Sequence, residues 1–243
     1  MKKQLIAMTC AAALAFSLAS CGSTASDNTA SASASDRPDP PSSASEQSGG
    51  GPGGSAPGGF GGSNEVTQGD AANTIDTDGT YTDQTYTSTG DDENALRVDG
   101  ATVTLDGVTV DKSSGSSSNT EDGDFYGMNA ALLATNGAQV TISGAAVTSS
   151  AQNGNGVFSY GDGTVVNISD STITTTADNS GGIQTTGGGT TNASNLTVET
   201  SGNSSAAIRS DRGGGTVNVD GGTYTSNGYN SPAVYSTADI TGR

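Results

Sequence analysis

The sequence contains no histidine and no tryptophan, and eight Lys and Arg stand against 25 Asp and Glu, so the formal net charge is −17. The lack of histidine removes the commonest acid–base group and the commonest metal ligand. The shortage of basic residues argues against nucleic acid as a partner and against electrostatic attachment to anionic lipid. Only 31% of the residues are hydrophobic, which is low for a domain with one deep core.

The first 20 residues have the pattern of a secretory signal peptide. Lys2 and Lys3 form a charged region, and the apolar stretch 5–18 is too short for a stable membrane span. Residues Leu18-Ala19-Ser20-Cys21 resemble the lipobox of bacterial lipoproteins, in which the signal is cleaved before a lipidated cysteine. The resemblance implies an extracytoplasmic protein of the cell envelope, held at the membrane only through lipid on Cys21. An ordinary signal peptide with a chance cysteine is the alternative.

Residues 21–72 predict a linker without fixed structure. The segment consists mainly of Gly, Ser, Ala and Pro, which cannot bury enough surface to offset the entropy of ordering. A flexible coil of roughly 50 residues spans on the order of 40 Å. We therefore expect the linker to hold the rest of the chain clear of lipid.

From residue 73 to 243, apolar residues recur in three columns with steps of 25 or 26 residues. The third column follows the second by five residues, and the next first-column residue comes ten later. The columns are Leu132, Val157, Ile183, Ile208 and Val234; Ile142, Ile168, Ala193 and Val219; and Val147, Ile173, Val198 and Tyr224. Each repeat holds three short alternating strands, and no amphipathic helix is apparent. We predict an all-β fold, a right-handed parallel β-helix with three strands per coil; a β-propeller would need a longer period, ~40 residues.

A two-residue bend separates the second and third columns in every repeat, as in Asp106-Gly107 and Ser194-Asn195. Its second residue is Gly, Asp or Asn, the types that tolerate positive φ. In coil length and bend, residues 74–240 resemble the pectin-lyase-like β-helix superfamily. The resemblance implies that the first-column strands form the sheet that carries binding or active sites. The connection feeding that sheet contains an insertion of twelve residues between Val110 and Leu132.

The outward positions of the first-column strands predict a binding face for a polysaccharide or surface glycan. Aromatic rings stack on the apolar face of a sugar, and neighbouring polar groups bind its hydroxyls. The alternative is exposed strand residues without a ligand, since Phe and Tyr favour strands. The candidates are Phe158, Tyr160, Gln184, Arg209, Asp211 and Tyr235, with Phe125 and Tyr126 from the inserted loop, which we expect to overhang one end of the face.

Catalysis is not expected. The lyases of the superfamily use an Arg-x-Pro-x-x-Arg motif and its hydrolases a Gly-His-Gly motif, and both are absent here. Paired carboxylates for glycoside cleavage are not evident either. No catalytic residue and no certain cofactor is therefore predicted.

Two further ligands suit parts of the sequence. Calcium fits the acidic inserted loop with Glu121, Asp122 and Asp124, because calcium prefers oxygen ligands. The spacing matches neither the EF-hand nor the calcium-binding nonapeptide repeat. Solvated charge is the alternative there. The third-column strands carry outward threonines that resemble ice-binding β-solenoids, but Ala146, Asp111 and Glu199 interrupt the row.

These patterns favour a surface-anchored lipoprotein that displays a carbohydrate-binding or adhesin-like β-helix. A structural cell-surface spacer is the alternative, and a polysaccharide lyase is less favoured. The last coil begins near residue 233 and stops within its second strand. We therefore also predict that the natural chain continues with further coils.

Overall fold

The computed structural model describes residues 66–243. This part of the chain is a parallel β-solenoid of about seven turns with three strands per coil, which confirms the predicted fold class. The predicted signal peptide, Cys21 and the linker as far as residue 65 lie outside the described residues.

Within residues 66–243 the strands are short, and one helix interrupts them. The first strands are β1 (Asp70–Ala71), β2 (Thr74–Ile75), β3 (Gly79–Thr82), β4 (Thr85–Ser88), β5 (Glu93–Asn94), β6 (Leu96–Asp99), β7 (Thr102–Asp106) and β8 (Thr109–Lys112). After helix α1 (Thr120–Tyr126) come β9 (Leu132–Thr135), β10 (Gln139–Ser143), β11 (Ala146–Ser149), β12 (Val157–Tyr160), β13 (Val165–Ser169), β14 (Thr172–Thr175) and β15 (Ile183–Thr186). The remaining strands are β16 (Thr190–Ser194), β17 (Thr197–Thr200), β18 (Ile208–Ser210), β19 (Thr216–Asp220), β20 (Thr223–Ser226), β21 (Val234–Tyr235) and β22 (Asp239–Gly242).

These strands form three long parallel sheets, one for each predicted column. The first sheet contains β2, β6, β9, β12, β15, β18 and β21; the second contains β3, β7, β10, β13, β16, β19 and β22; the third contains β4, β8, β11, β14, β17 and β20. The register is the predicted one, because Ile183 lies opposite Ile208, Ile142 opposite Ile168 and Val147 opposite Ile173. The inward residues of all three sheets stack into one continuous buried apolar core.

Threonine and serine hydroxyl groups hydrogen-bond to the backbone of the connection between the third and first sheets. Thr200 is the buried last residue of β17. Its Oγ1 donates to the carbonyl oxygen of Ser205. The backbone N–H of Ser180 donates to Oγ of Ser205 at 2.9 Å, and the N–H of Ser205 donates to Oγ of Ser231 at the same distance. These hydroxyls satisfy backbone groups that would be costly to bury unpaired. The sequence analysis missed them, although the three serines recur at the coil period.

Ordered structure begins upstream of residue 73, within the segment assigned to the linker. Strand β1 pairs in parallel with β5. The guanidinium of Arg97 donates to the carbonyl oxygens of Gln68 and Gly69 at 2.8 and 2.9 Å. The first coil of the described solenoid therefore includes residues that the sequence assigned to the linker.

No amphipathic helix was apparent from the sequence, but the inserted connection contains a short helix. Helix α1 begins after Asn119, whose side-chain oxygen accepts a hydrogen bond from the N–H of Glu121 at 3.0 Å. It ends at Gly127, which adopts the left-handed conformation with φ of 81°. Among the described residues, no helix has the length and apolar character that a membrane span requires.

Candidate functional site

Helix α1 lies across the outer face of the first sheet instead of overhanging one end of it. Oγ1 of Thr186 donates to the carbonyl oxygen of Phe125 at 2.6 Å, and Nε2 of Gln184 donates to the carbonyl oxygen of Asp124. Both acceptors belong to the helix and both donors to β15. The insertion therefore covers the strands on which the sequence predicted an open binding face.

The prediction that this face of the first sheet is open is wrong, because α1 covers it. Phe158 and Gln184 point away from the main core, as predicted, but both are fully buried. Phe158 forms a small second apolar cluster with Ala130 and Leu133. An open aromatic platform centred on Phe158 does not exist in this structure.

Two tyrosines close one edge of the covered cluster. The rings of Tyr126 and Tyr160 meet edge to face, with centroids 5.6 Å apart. Tyr160 packs against the cluster that contains Phe158, and this burial raises the pKa of its phenol. Both predicted binding residues are thus half-buried and stabilise the contact between α1 and the first sheet.

A partly buried ion-pair network joins Asp124 of α1 to Arg209 of β18 and Asp211, the residue after that strand. Nη1 of Arg209 lies 3.2 Å from Oδ1 of Asp124, and its Nη2 lies 2.8 Å from Oδ2 of Asp211. The Arg209 side chain is 11% exposed and both carboxylates are 14% exposed. Burial raises the pKa of the Asp124 carboxyl, and the charge of Arg209 opposes that effect. The Arg209 guanidinium also lies 5.7 Å from the centroid of the Tyr235 ring.

The network forms one side of a pocket with a volume of about 320 Å³. This volume is within the range of small-molecule sites. Amide and hydroxyl side chains supply hydrogen-bonding groups, while the ring of Tyr235 supplies an apolar wall. The lining residues are Asp124, Asn179, Ser204, Ala206, Arg209, Asn230, Pro232 and Tyr235.

The structure thus brings together three of the predicted binding residues, Arg209, Asp211 and Tyr235. The sequence analysis missed Asn179, Ser204 and Asn230 as neighbours of this site. A signal was present, because these residues recur at steps of 25 and 26. All three adopt positive φ, between 52° and 54°, so they occupy equivalent turns before successive first-sheet strands.

The predicted calcium site is not formed by its three carboxylates. Glu121 lies 3.7 Å from Arg212, and Asp124 pairs with Arg209. Asp122 is buried, which raises the pKa of its carboxyl. Within residues 66–243, no three or more acidic, histidine or cysteine side chains gather in a way that could hold a metal ion.

Every basic side chain between residues 66 and 243 lies beside a hydrogen-bond acceptor or an opposite charge. Arg97 binds backbone carbonyls and Arg209 binds two carboxylates. Lys112 is fully buried and donates to Oγ of Ser88 at 3.2 Å. Arg212 and Arg243 pair with Glu121 and Asp220. The described surface therefore offers only two exposed cations to a polyanion, Arg212 and Arg243, and each lies beside a carboxylate. In this region 20 acidic residues face five basic ones.

Comparison with known proteins gives no relative from which a role can be transferred. No family model matches the chain, and no curated protein and no solved structure matches it either. The chemistry of the described residues therefore carries the functional proposal.

Proposed function

We propose that the β-helix is a glycan-binding domain that takes an uncharged polysaccharide or surface glycan in the pocket beside α1. The observation that carries the proposal is the combination of groups around this pocket. Tyr235, which is 43% exposed, offers a ring on which a sugar can stack. Asn179, Ser204 and Asn230 offer donors and acceptors for hydroxyl groups.

The charges at the pocket favour an uncharged ligand over a uronate. Arg209 is shared by two carboxylates, Asp124 and Asp211, so the three groups together carry a net negative charge. A uronate chain would find no free cation here and would be repelled by the acidic surface. Neutral hydroxyls avoid this repulsion and can bind the carboxylate oxygens as donors.

The same network supports binding over catalysis. Glycoside cleavage needs one carboxyl group to donate a proton and a second, unblocked carboxylate to act as nucleophile or base. Here Asp124 and Asp211 each use an oxygen to hold Arg209 in place. We propose that these groups position a ligand and do not transform it.

The proposal places this domain at the cell envelope. The lipobox-like residues Leu18-Ala19-Ser20-Cys21 and the long Gly/Ser-rich stretch after them suit an adhesin-like lipoprotein that displays its binding domain away from the membrane. The β-solenoid agrees with the resemblance to the pectin-lyase-like superfamily, whose carbohydrate-binding branch is the proposed relationship.

A glycan array with the Cys21→Ser protein, which we expect to be released from the membrane, tests the proposal. We expect binding to neutral glycans and not to uronates, and Tyr235→Ala should weaken it about tenfold, equivalent to ~1.4 kcal/mol. Tyr229→Ala is the matched control, because Tyr229 lies in the same coil, is exposed and does not line the pocket. Absence of binding to any neutral glycan would favour a structural spacer, and release of cleaved products would indicate an enzyme.

A further inference from the structure

A second concavity runs along the outer face of the second sheet and shares no lining residue with the pocket beside α1. Its volume is about 560 Å³. Outward residues of five neighbouring strands of the second sheet line it in two columns; the strands are β10, β13, β16, β19 and β22. One column contains Thr141, Asn167, Asn192, Asn218 and Thr241, and the next contains Ser169, Ser194 and Asp220.

The three asparagines of this groove form a hydrogen-bonded ladder. Nδ2 of Asn192 donates to Oδ1 of Asn167 at 2.8 Å, and Nδ2 of Asn218 donates to Oδ1 of Asn192 at 2.9 Å. A carboxamide has two N–H donors and an oxygen with two lone pairs. Asn192 uses one donor and one lone pair within the ladder. One donor and one lone pair therefore remain for a ligand, and the pattern repeats with the coil spacing of about 4.8 Å.

The groove is also an uncharged strip on an acidic domain. From Thr141 to Asn218 none of its lining residues carries a charge. At one end Asp220 and Arg243 lie 3.3 Å apart and offset each other. Recognition of an ionic polymer would require charged partners, which this strip lacks. Its amides and hydroxyls suit a neutral polymer with hydroxyl or acetamido groups.

We propose that this groove is a second glycan site, in which a linear uncharged polysaccharide runs along the solenoid axis. An extended β-linked sugar chain advances per ring by a length similar to the coil rise of about 4.8 Å. Each ring can therefore lie beside one strand, and because adjacent rings of such a chain are turned over, equivalent groups meet every second asparagine. An extended peptide advances only about 3.3 Å per residue, so its groups would drift out of step with the ladder. The spacing thus favours a sugar chain over a polypeptide.

A periodic site predicts that affinity grows with ligand length, whereas the pocket beside α1 accommodates few rings. The test is calorimetric titration of the full chain with cellohexaose, chitohexaose, cellobiose and hexagalacturonate. We expect a neutral hexamer to bind at least about tenfold more tightly than the dimer, and hexagalacturonate not to bind. Asn192→Ala should weaken hexamer binding about tenfold.

Two control variants test whether binding depends on the groove itself. Thr197→Ala changes an exposed outward residue of the same coil on the third sheet and should leave affinity unchanged. Tyr235→Ala removes the wall of the other pocket, so it should weaken binding of cellobiose there, while the preference for a neutral hexamer over the dimer remains. If Asn192→Ala fails to fold, Asn218→Ala carries the same test, because Asn218 makes only one bond to another asparagine.

Any of the following results would overturn the groove proposal. One is that neither neutral hexamer binds the wild-type protein. Another is that Asn192→Ala binds as tightly as Thr197→Ala. The third is that hexagalacturonate competes equally. Loss of all binding in Tyr235→Ala, with Asn192→Ala unaffected, would reject the groove and leave the pocket beside α1 as the glycan site.

Discussion

Nη1 of Arg209 lies 3.2 Å from Oδ1 of Asp124, although 85 residues separate them in the sequence. Most contacts of a solenoid join residues one coil apart. This pair instead joins α1, which precedes β9, to β18, which lies three coils beyond β9. The pair is largely buried, so each charge depends on the other for compensation. The same contact fixes the helix over the first sheet and builds the candidate site.

Arg209→Met leaves the Asp124 carboxylate buried without its counter-charge. We expect the free energy of unfolding to fall by about 3–5 kcal/mol at pH 7. Burial already raises the pKa of Asp124, and loss of Arg209 raises it further. The folded state then binds a proton more tightly than the unfolded state, so stability is regained as the pH falls through the raised pKa and lost as it rises.

Urea unfolding at pH 7 and pH 4 measures this effect. Arg243→Met serves as the control, because the ion pair between Arg243 and Asp220 is highly exposed and contributes about 0–1 kcal/mol. An Arg209→Met loss that is as large at pH 4 as at pH 7 would show that the Asp124 charge is not its cause.

Phe158→Ala should destabilise the protein by about 3–5 kcal/mol, because it removes a fully buried ring and leaves a cavity under α1. Tyr229→Ala is the comparison, since Tyr229 is 84% exposed and its loss should change stability by within about 0.5 kcal/mol. Equilibrium unfolding of both variants provides the measurement. Equal, small effects would mean that the first-sheet face is open in solution.

Gly127→Ala tests how tightly the end of α1 contacts the sheet. A Cβ at Gly127 would lie 2.7 Å from Cδ1 of Leu133 and 3.0 Å from Cγ of Phe158. Gly137 has nearly the same φ, 79° against 81°, but nothing lies within 4 Å of its Cβ position. Both alanines bear the left-handed backbone cost of about 1–2 kcal/mol. We expect Gly127→Ala to lose a further ~1–3 kcal/mol through overpacking, and identical melting temperatures would contradict that contact.

The sequence contained enough information for the coils because the apolar period and the two-residue bends repeat. Asp170 and Asn195 adopt positive φ of 50° at the second bend position, as their residue types predicted. The cover over Phe158 was not predictable in the same way. Helix α1 has seven residues, including Gly123, and a helix of this length is not stable alone. Its formation depends on packing against distant strands, which no local pattern encodes.

The same reasoning explains the different role of Asp124. In the sequence it belongs to an acidic cluster, which suggested a calcium ligand. In the fold it lies beside Arg209, and Asn153 also donates to its carboxylate at 3.2 Å. A long-range ion pair, which depends on the position of α1, thus replaces the expected metal contact.

Helix α1 also changes how the solenoid unfolds. In a simple repeat array each coil contacts only its neighbours, so stability is close to a sum of local terms and the ends can fray independently. The helix precedes β9 and binds Gln184 and Thr186 on β15 and Arg209 on β18. It therefore couples coils that do not touch one another. We therefore expect the coils from β9 to β18 to open together, and the coils outside that span to keep the independence of an ordinary repeat.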